Sequence, residues 1–225
     1  MSGRADILGR LKQTLDLAGT ATARFSRAEQ RILDAAPSLI PQRGQAQGPA
    51  MMAMFIDEAQ KAQADVRQLA ALSDVPKVVA EILKQSDFAK LKAAPHKTLQ
   101  ALDWSGLDIV FGCGAGEDLV GLSMAYGAVS ETGTLVLLSG PETPTTLNFL
   151  PDVHIVVLHA HDVVGNYEQV WARLRREAKP DMPVLPRTVN WITGPSRTAD
   201  IEQTLLLGAH GPRKLIILLI DAQTT

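Results

Sequence analysis

Arginine, serine, aspartate and histidine gather between Trp191 and Pro212, in the run WITGPSRTADIEQTLLLGAHGP. The guanidinium of Arg197 is a planar fork that matches a carboxylate or phosphate. Ser196, Thr198 and the backbone of Gly194 and Gly211 add hydrogen-bonding groups, and Asp200 stands where a short helix is predicted to begin. Amides at such a start carry partial positive charge. An unperturbed histidine titrates near neutrality, so His210 could accept a hydroxyl proton. Further back, Glu131-Thr132-Gly133-Thr134 puts a carboxylate and two hydroxyls on one turn, with Glu131 as the alternative base. These groups would together line a pocket for a small anion. A second account needs no ligand. Asp200 would be an N-cap with Gln203 at the capping-box position, worth about 1 kcal/mol. Arg197 would pair with a carboxylate, His210-Gly-Pro would be a tight turn, and Thr132 and Thr134 would satisfy local amides. Both accounts fit the residues.

Other candidates carry less. His159-Ala-His161-Asp162 could present two imidazoles, but a metal site needs further ligands and a supporting shell, so a solvated strand end is expected. Gly112-Cys-Gly-Ala-Gly116 follows an apolar run, yet Leu122 stands where a phosphate-binding lysine is required. Glu117 likewise occupies the third glycine position of a dinucleotide fingerprint. A loose likeness to the first methyltransferase motif remains, and the expected structure is a flexible turn.

Composition narrows the classes further. A net charge of −2 and 4% aromatic residues argue against a nucleic-acid surface or a base-stacking platform. Cys113 is the only cysteine, so the chain cannot supply the usual four thiolates of an iron–sulfur cluster. No metal or redox cofactor is expected in this chain. The opening MSGRADILGRLKQ has no continuous apolar segment of a secretory signal, and no run approaches the length of a membrane span. A cytoplasmic location is expected.

The elements that must hold these groups follow from periodicity. Helices are predicted over 5–17, 26–36, 50–72, 75–84 and 167–178, with Pro76 in a first helical turn. Strands are predicted at 107–111, 135–138, 153–158, 188–193 and 214–220, with a weaker one near Lys97–Leu99, while Val120–Ser123 and Ala128–Ser130 are short apolar pieces around the Gly127 turn. The last, KLIILLI, is apolar without alternation, as in a parallel strand covered on both faces. The pattern predicts an α/β domain with a mostly parallel sheet over residues 50–225. Residues 1–49 form a helical arm or linker that lies on its own domain or grips a second copy in a homodimer.

Several separated pieces resemble one family, the lactate-utilisation (LUD) domain proteins of the protein C group. They are Ser130-Glu-Thr-Gly-Thr-Leu-Val-Leu137, Leu150-Pro-Asp-Val-His-Ile-Val-Val157, Gly194-Pro-Ser-Arg-Thr-Ala-Asp-Ile-Glu202 and Gly208-Ala-His-Gly-Pro212. The resemblance is good from about residue 50 to 221 and loose before that. It implies a three-layer α/β fold similar to the ribose-5-phosphate isomerase, glucosamine-6-phosphate deaminase and CoA-transferase superfamily. It also implies a place in the oxidation of L-lactate to pyruvate beside two partner proteins, one of which carries iron–sulfur clusters. If CoA-transferase-like chemistry survives, Glu131 would be the nucleophile. A free-standing enzyme acting on an anionic small molecule and a non-catalytic scaffold are the alternatives, since fold alone does not settle function.

Overall fold

The computed structural model describes residues 3–14, 21–34, 39–178, 185–198, 206–208 and 210–221. These group into two compact units, Met1–Leu39 and Ile40–Thr225. In the first, α1 (Gly3–Thr14) and α2 (Ala21–Asp34) occupy the two regions where helices are predicted, and Ile7, Leu8, Leu11, Phe25 and Ile32 are exposed.

The second unit begins with α3 (Gly48–Lys61), β1 (Asp65–Leu69), α4 (Val75–Gln85), β2 (Lys90–Ala93), the single turn α5 (Lys97–Gln100) and β3 (Asp108–Phe111). Then come β4 (Val120–Met124), β5 (Gly127–Val129), β6 (Thr134–Leu138), β7 (Val153–His159), β8 (Val163–Val164) and α6 (Tyr167–Glu177). The chain ends with β9 (Val189–Ile192), β10 (Arg197–Thr198), β11 (Leu206–Leu207) and β12 (Lys214–Ile220). Six strands pair wholly parallel in the order β1-β12-β7-β4-β2-β3. A separate sheet, β8-β5-β6-β9, is antiparallel except for its β5–β8 pair.

Alternation of side chains explains why KLIILLI is apolar at every position after its lysine. Ile216, Leu218 and Ile220 face a core that includes Val75, Val79, Ile82 and Leu83 of α4. Leu215, Ile217 and Leu219 face the opposite core, with Phe55 and Ala59 of α3 and Leu135 and Leu137 of β6. The second sheet is therefore covered on its inner side by the parallel sheet and α3. Its outer residues Val129 and Val136 meet Val170 and Leu174 of α6. The layers are α4, the parallel sheet, and then α3 with the second sheet, which gives the expected three-layer α/β architecture.

Two predicted elements are corrected. The helix predicted over 50–72 stops at Lys61. Gln63 turns left-handed at φ 70, its N–H donates to Gln60 O at 2.8 Å, and Ala64 N–H donates to Ala59 O at 2.9 Å. This Schellman cap is made without the glycine that would have marked it in the sequence. The following Asp65–Leu69 pairs with Ile216–Ile220 as an edge strand, so tertiary pairing overrides its helical composition. The weak strand predicted near Lys97–Leu99 is instead the helical turn α5, capped by His96. The strand of that region is Lys90–Ala93, whose lysines hide the pattern because it lies near the sheet edge. The helix predicted near Asp200 lies outside the described residues.

One polar pair is sealed inside this framework. His154 of β7 is fully buried, its Nε2 lies 3.0 Å from Ser123 Oγ of β4, and its Nδ1 has no partner among the described residues. Burial pushes its pKa down to about 3. An unfolded imidazole takes up a proton below about pH 6.5 while the folded one does not, so stability falls as pH drops from there towards 3. Urea unfolding at pH 7 and pH 5 should show the wild-type chain losing about 2 kcal/mol more than His154→Gln. Equal losses would mean that the folded ring is readily protonated.

Candidate functional site

The rim predicted around Arg197 is assembled at the amino ends of β7 and β12. Arg213 N–H and Lys214 N–H both donate to Asp152 O, at 2.8 and 3.1 Å, which sets the start of β12 beside the start of β7. Ser196 joins the two turns of the rim. Its N–H donates to Pro212 O at 2.8 Å, its carbonyl accepts from Gly208 N–H at 2.9 Å, and its Oγ accepts from His210 N–H at 3.4 Å. A Cβ on Gly211 would come within 3.3 Å of Ser196 Cβ. The structure thus brings Ser196, His210 and Gly211 together. Arg197 pairs with Leu207, and Thr198 with Leu206, in the two-residue ribbon β10–β11. Arg197 and His210 are exposed, and Asp200 lies outside the described residues.

The Glu131–Thr134 turn is tied to the start of this stretch by structural contacts. Thr134 Oγ1, fully buried, lies 2.7 Å from Thr193 Oγ1, 2.7 Å from Thr132 Oγ1 and 3.1 Å from Tyr167 OH. Thr132 Oγ1 is also 2.9 Å from Tyr167 OH. Gly133 at φ +62 and Gly194 at φ +73 both press on the end of α3: a Cβ at the first would overlap Ala59 N, and one at the second would overlap Ala62 O. These glycines are needed for close approach of backbones.

Glu131 is buried and lies under the Gln42–Gln45 turn, where a Cβ on Gly44 would come within 2.6 Å of its Oε2. Asn166, which caps α6, donates from Nδ2 to Gly44 O at 2.8 Å and holds that turn in place. Among the described residues no hydrogen bond or ion pair joins Glu131 to Arg197 or His210. The two predicted proton-transfer groups thus have opposite settings, one enclosed and one open.

The carboxyl edge of the parallel sheet was not legible as a site. His159 and His161 stack there with ring centroids 5.0 Å apart, and His161 Nε2 lies 3.6 Å from Asp162 Oδ2. Burial, and then the neighbouring His161, hold His159 below the usual histidine range, with Asp162 opposing. No group of three or more metal-ligating side chains occurs among the described residues. The Gly112–Gly116 turn runs on to β4 rather than into a helix, so no helix start faces it, and Ala115 N–H is held by Asp118 Oδ2 at 2.8 Å. Two cavities, of about 430 and 580 Å³, open along this edge. They recruit His96, Tyr126 and Glu142, and Gln68 and Asp221, through strand order alone. No motif in the sequence marks these residues.

With this geometry in hand, comparison with known proteins is decisive: a match to the LUD domain spans residues 52–220. The chain belongs to the LUD-domain family. It is 42% identical over 100 residues to an uncharacterised protein of Neisseria meningitidis serogroup B. It is 36% identical over 101 residues to lactate utilization protein C of Geobacillus thermodenitrificans, and 33% identical over 102 residues to that of Bacillus subtilis. These matches cover 44–45% of this chain and 41–42% of each relative, so less than half the length of those proteins. The fold is similar to the crystal structure of a DUF162-family protein from Deinococcus radiodurans, with a TM-score of 0.53 and 21% identity over 76% of this chain and 96% of that one. No helix among the described residues is long and apolar enough to cross a membrane.

The LUD signature glycines give a direct test of the packing account. Gly133→Ala and Gly194→Ala should each lower the free energy of urea unfolding by about 2–4 kcal/mol, from left-handed strain plus overlap with α3. Gly116→Ala, with open space around its Cβ position, serves as the control and should change it by less than about 1 kcal/mol. Stability unchanged at Gly133 and Gly194 would show that α3 can withdraw from them.

Proposed function

We propose that this chain is a non-cluster subunit of an assembly oxidising L-lactate to pyruvate, and that its rim holds a small anion through Arg197. The observation that carries the role is the LUD-domain match over 52–220, taken with relatives named lactate utilization protein C. A chain with one cysteine cannot hold a four-thiolate cluster, so electrons leaving lactate would pass to an iron–sulfur partner. The exposed Ile7, Leu8, Leu11, Phe25 and Ile32 offer apolar surface of the kind that subunit contacts cover.

Arg197 supports the anion site because it is exposed, has no ion-pair partner among the described residues and carries a fork that matches a carboxylate. Ser196 and His210 stand beside it on the joined turns. His210 would take the hydroxyl proton of a lactate-like ligand. Glu131, enclosed beneath Gly44, fits that part less well.

The test is growth on L-lactate of a strain lacking this gene. The wild-type chain should restore growth. Arg197→Ala, which removes an exposed side chain and so leaves the fold intact, should slow it by about tenfold or more, the equivalent of one charge-assisted hydrogen bond. Full growth with Arg197→Ala would remove the anion role, and normal growth of the deletion strain would remove the lactate role.

A further inference from the structure

The order of the parallel strands defines one position at which a ligand cleft is expected. From β2 the chain moves outward to β3, whereas from β4 it moves the other way, to β7. The adjacent ends of β2 and β4 are therefore the topological switch point, where parallel sheets leave a crevice at their carboxyl edge. The 430 Å³ cleft lies there, between His96 beyond β2, Met124-Ala125-Tyr126 at the end of β4, and the Gly140–Thr143 turn after β6. Ala94 N–H donates to Leu122 O at 2.8 Å, and Tyr126 N–H donates to Val136 O at 2.9 Å, so both walls are pinned to the sheets.

We propose that this cleft binds a small organic carboxylate with an apolar flank, and that His96 is the residue that holds its charged end. His96 Nδ1 accepts the Thr98 N–H at 3.3 Å, which in the neutral ring puts the proton on Nε2 and leaves it as a donor. Thr143 supplies a hydroxyl with no partner among the described residues. The negative charge of Glu142 is partly offset by Lys97, whose Nζ lies 3.5 Å from its Oε1. Met124, Leu138 and Pro141 form the apolar side. Small-molecule clefts combine an apolar lining with a few placed polar groups in this way, at volumes of roughly 300–1,000 Å³.

Tyr126 is a fixed wall rather than a proton carrier. Its hydroxyl lies 2.8 Å from Glu177 Oε2, and the Arg173 guanidinium sits 4.3 Å above its ring. Arg173 is held in turn by Asp162 at 2.8 Å and Glu177 at 2.9 Å. Burial, reinforced by Glu177, raises the phenol far above its usual range. The carboxylate thus meets His96 and Thr143 against a rigid aromatic face. This site is at the opposite edge of the sheet from Arg197 and stands whether or not the rim holds an anion.

The experiment is a titration of the full chain with butyrate, and with butyramide as its uncharged counterpart, followed by the His96 ring resonances and by calorimetry. Butyrate should bind saturably and shift those resonances, with butyramide weaker by about tenfold or more. His96→Asn retains an excellent cap for Thr98 N–H but cannot reach into the cleft, so it should fold normally and lose butyrate binding by about tenfold or more. Thr143→Val, which keeps the shape, should weaken binding by a smaller factor. No saturable shift of the His96 resonances, or equal binding by wild type and His96→Asn, would each overturn the proposal.

Discussion

Burial of β7 and β12 on both faces is the constraint on which the rest of this structure depends. Their side chains are apolar on either side, so each face of the parallel sheet needs a cover. One face is met simply, by α4. The other receives α3 together with a second sheet, and that layer must seat two backbone turns directly on a helix. Gly133 and Gly194 make the approach possible, and the hydroxyl cluster of Thr132, Thr134, Tyr167 and Thr193 ties the turns to each other. The docking of the second sheet thus decides where the rim, the Glu131 turn and the carboxyl-edge cleft come to lie.

This changes the meaning of the family signature. Much of what looks like binding chemistry in Glu-Thr-Gly-Thr and Gly-Pro-Ser is used in construction: glycines for contact with α3, threonines for the cluster, Ser196 for joining two turns. Glu131 is covered by a turn from ahead of α3. What construction leaves over is Arg197, together with the side chain of His210. The proposed anion role rests on that exposed guanidinium, whose fork matches a carboxylate.

The sequence made the interior legible and the edges illegible, for physical reasons. The near-continuous apolar runs at 153–158 and 214–220 suit strands covered on both faces, and the periodicity of α4 and α6 survives packing intact. The stop of α3 was hidden because Gln63 takes the left-handed position normally marked by glycine. β2 was hidden by its lysines, which a position one strand from the sheet edge tolerates. Ser196 and His210 could be assigned to one rim from their turn residues, whereas His96 and Tyr126 become neighbours only through strand order, which no local pattern encodes. The second sheet was missed for the same reason: β6 and β9 look like members of one parallel sheet until their pairing is known, and β5 reads only as a short apolar piece beside the Gly127 turn.

The account makes this chain a cluster-free member of an assembly, so the most direct measurement is purification of the tagged, full-length chain from its native cells grown on L-lactate. An iron–sulfur protein should accompany it, and lactate-dependent electron transfer should reside in the combined fraction and be lost when the two are separated. A chain that elutes without iron and turns over an anionic substrate by itself would contradict the account.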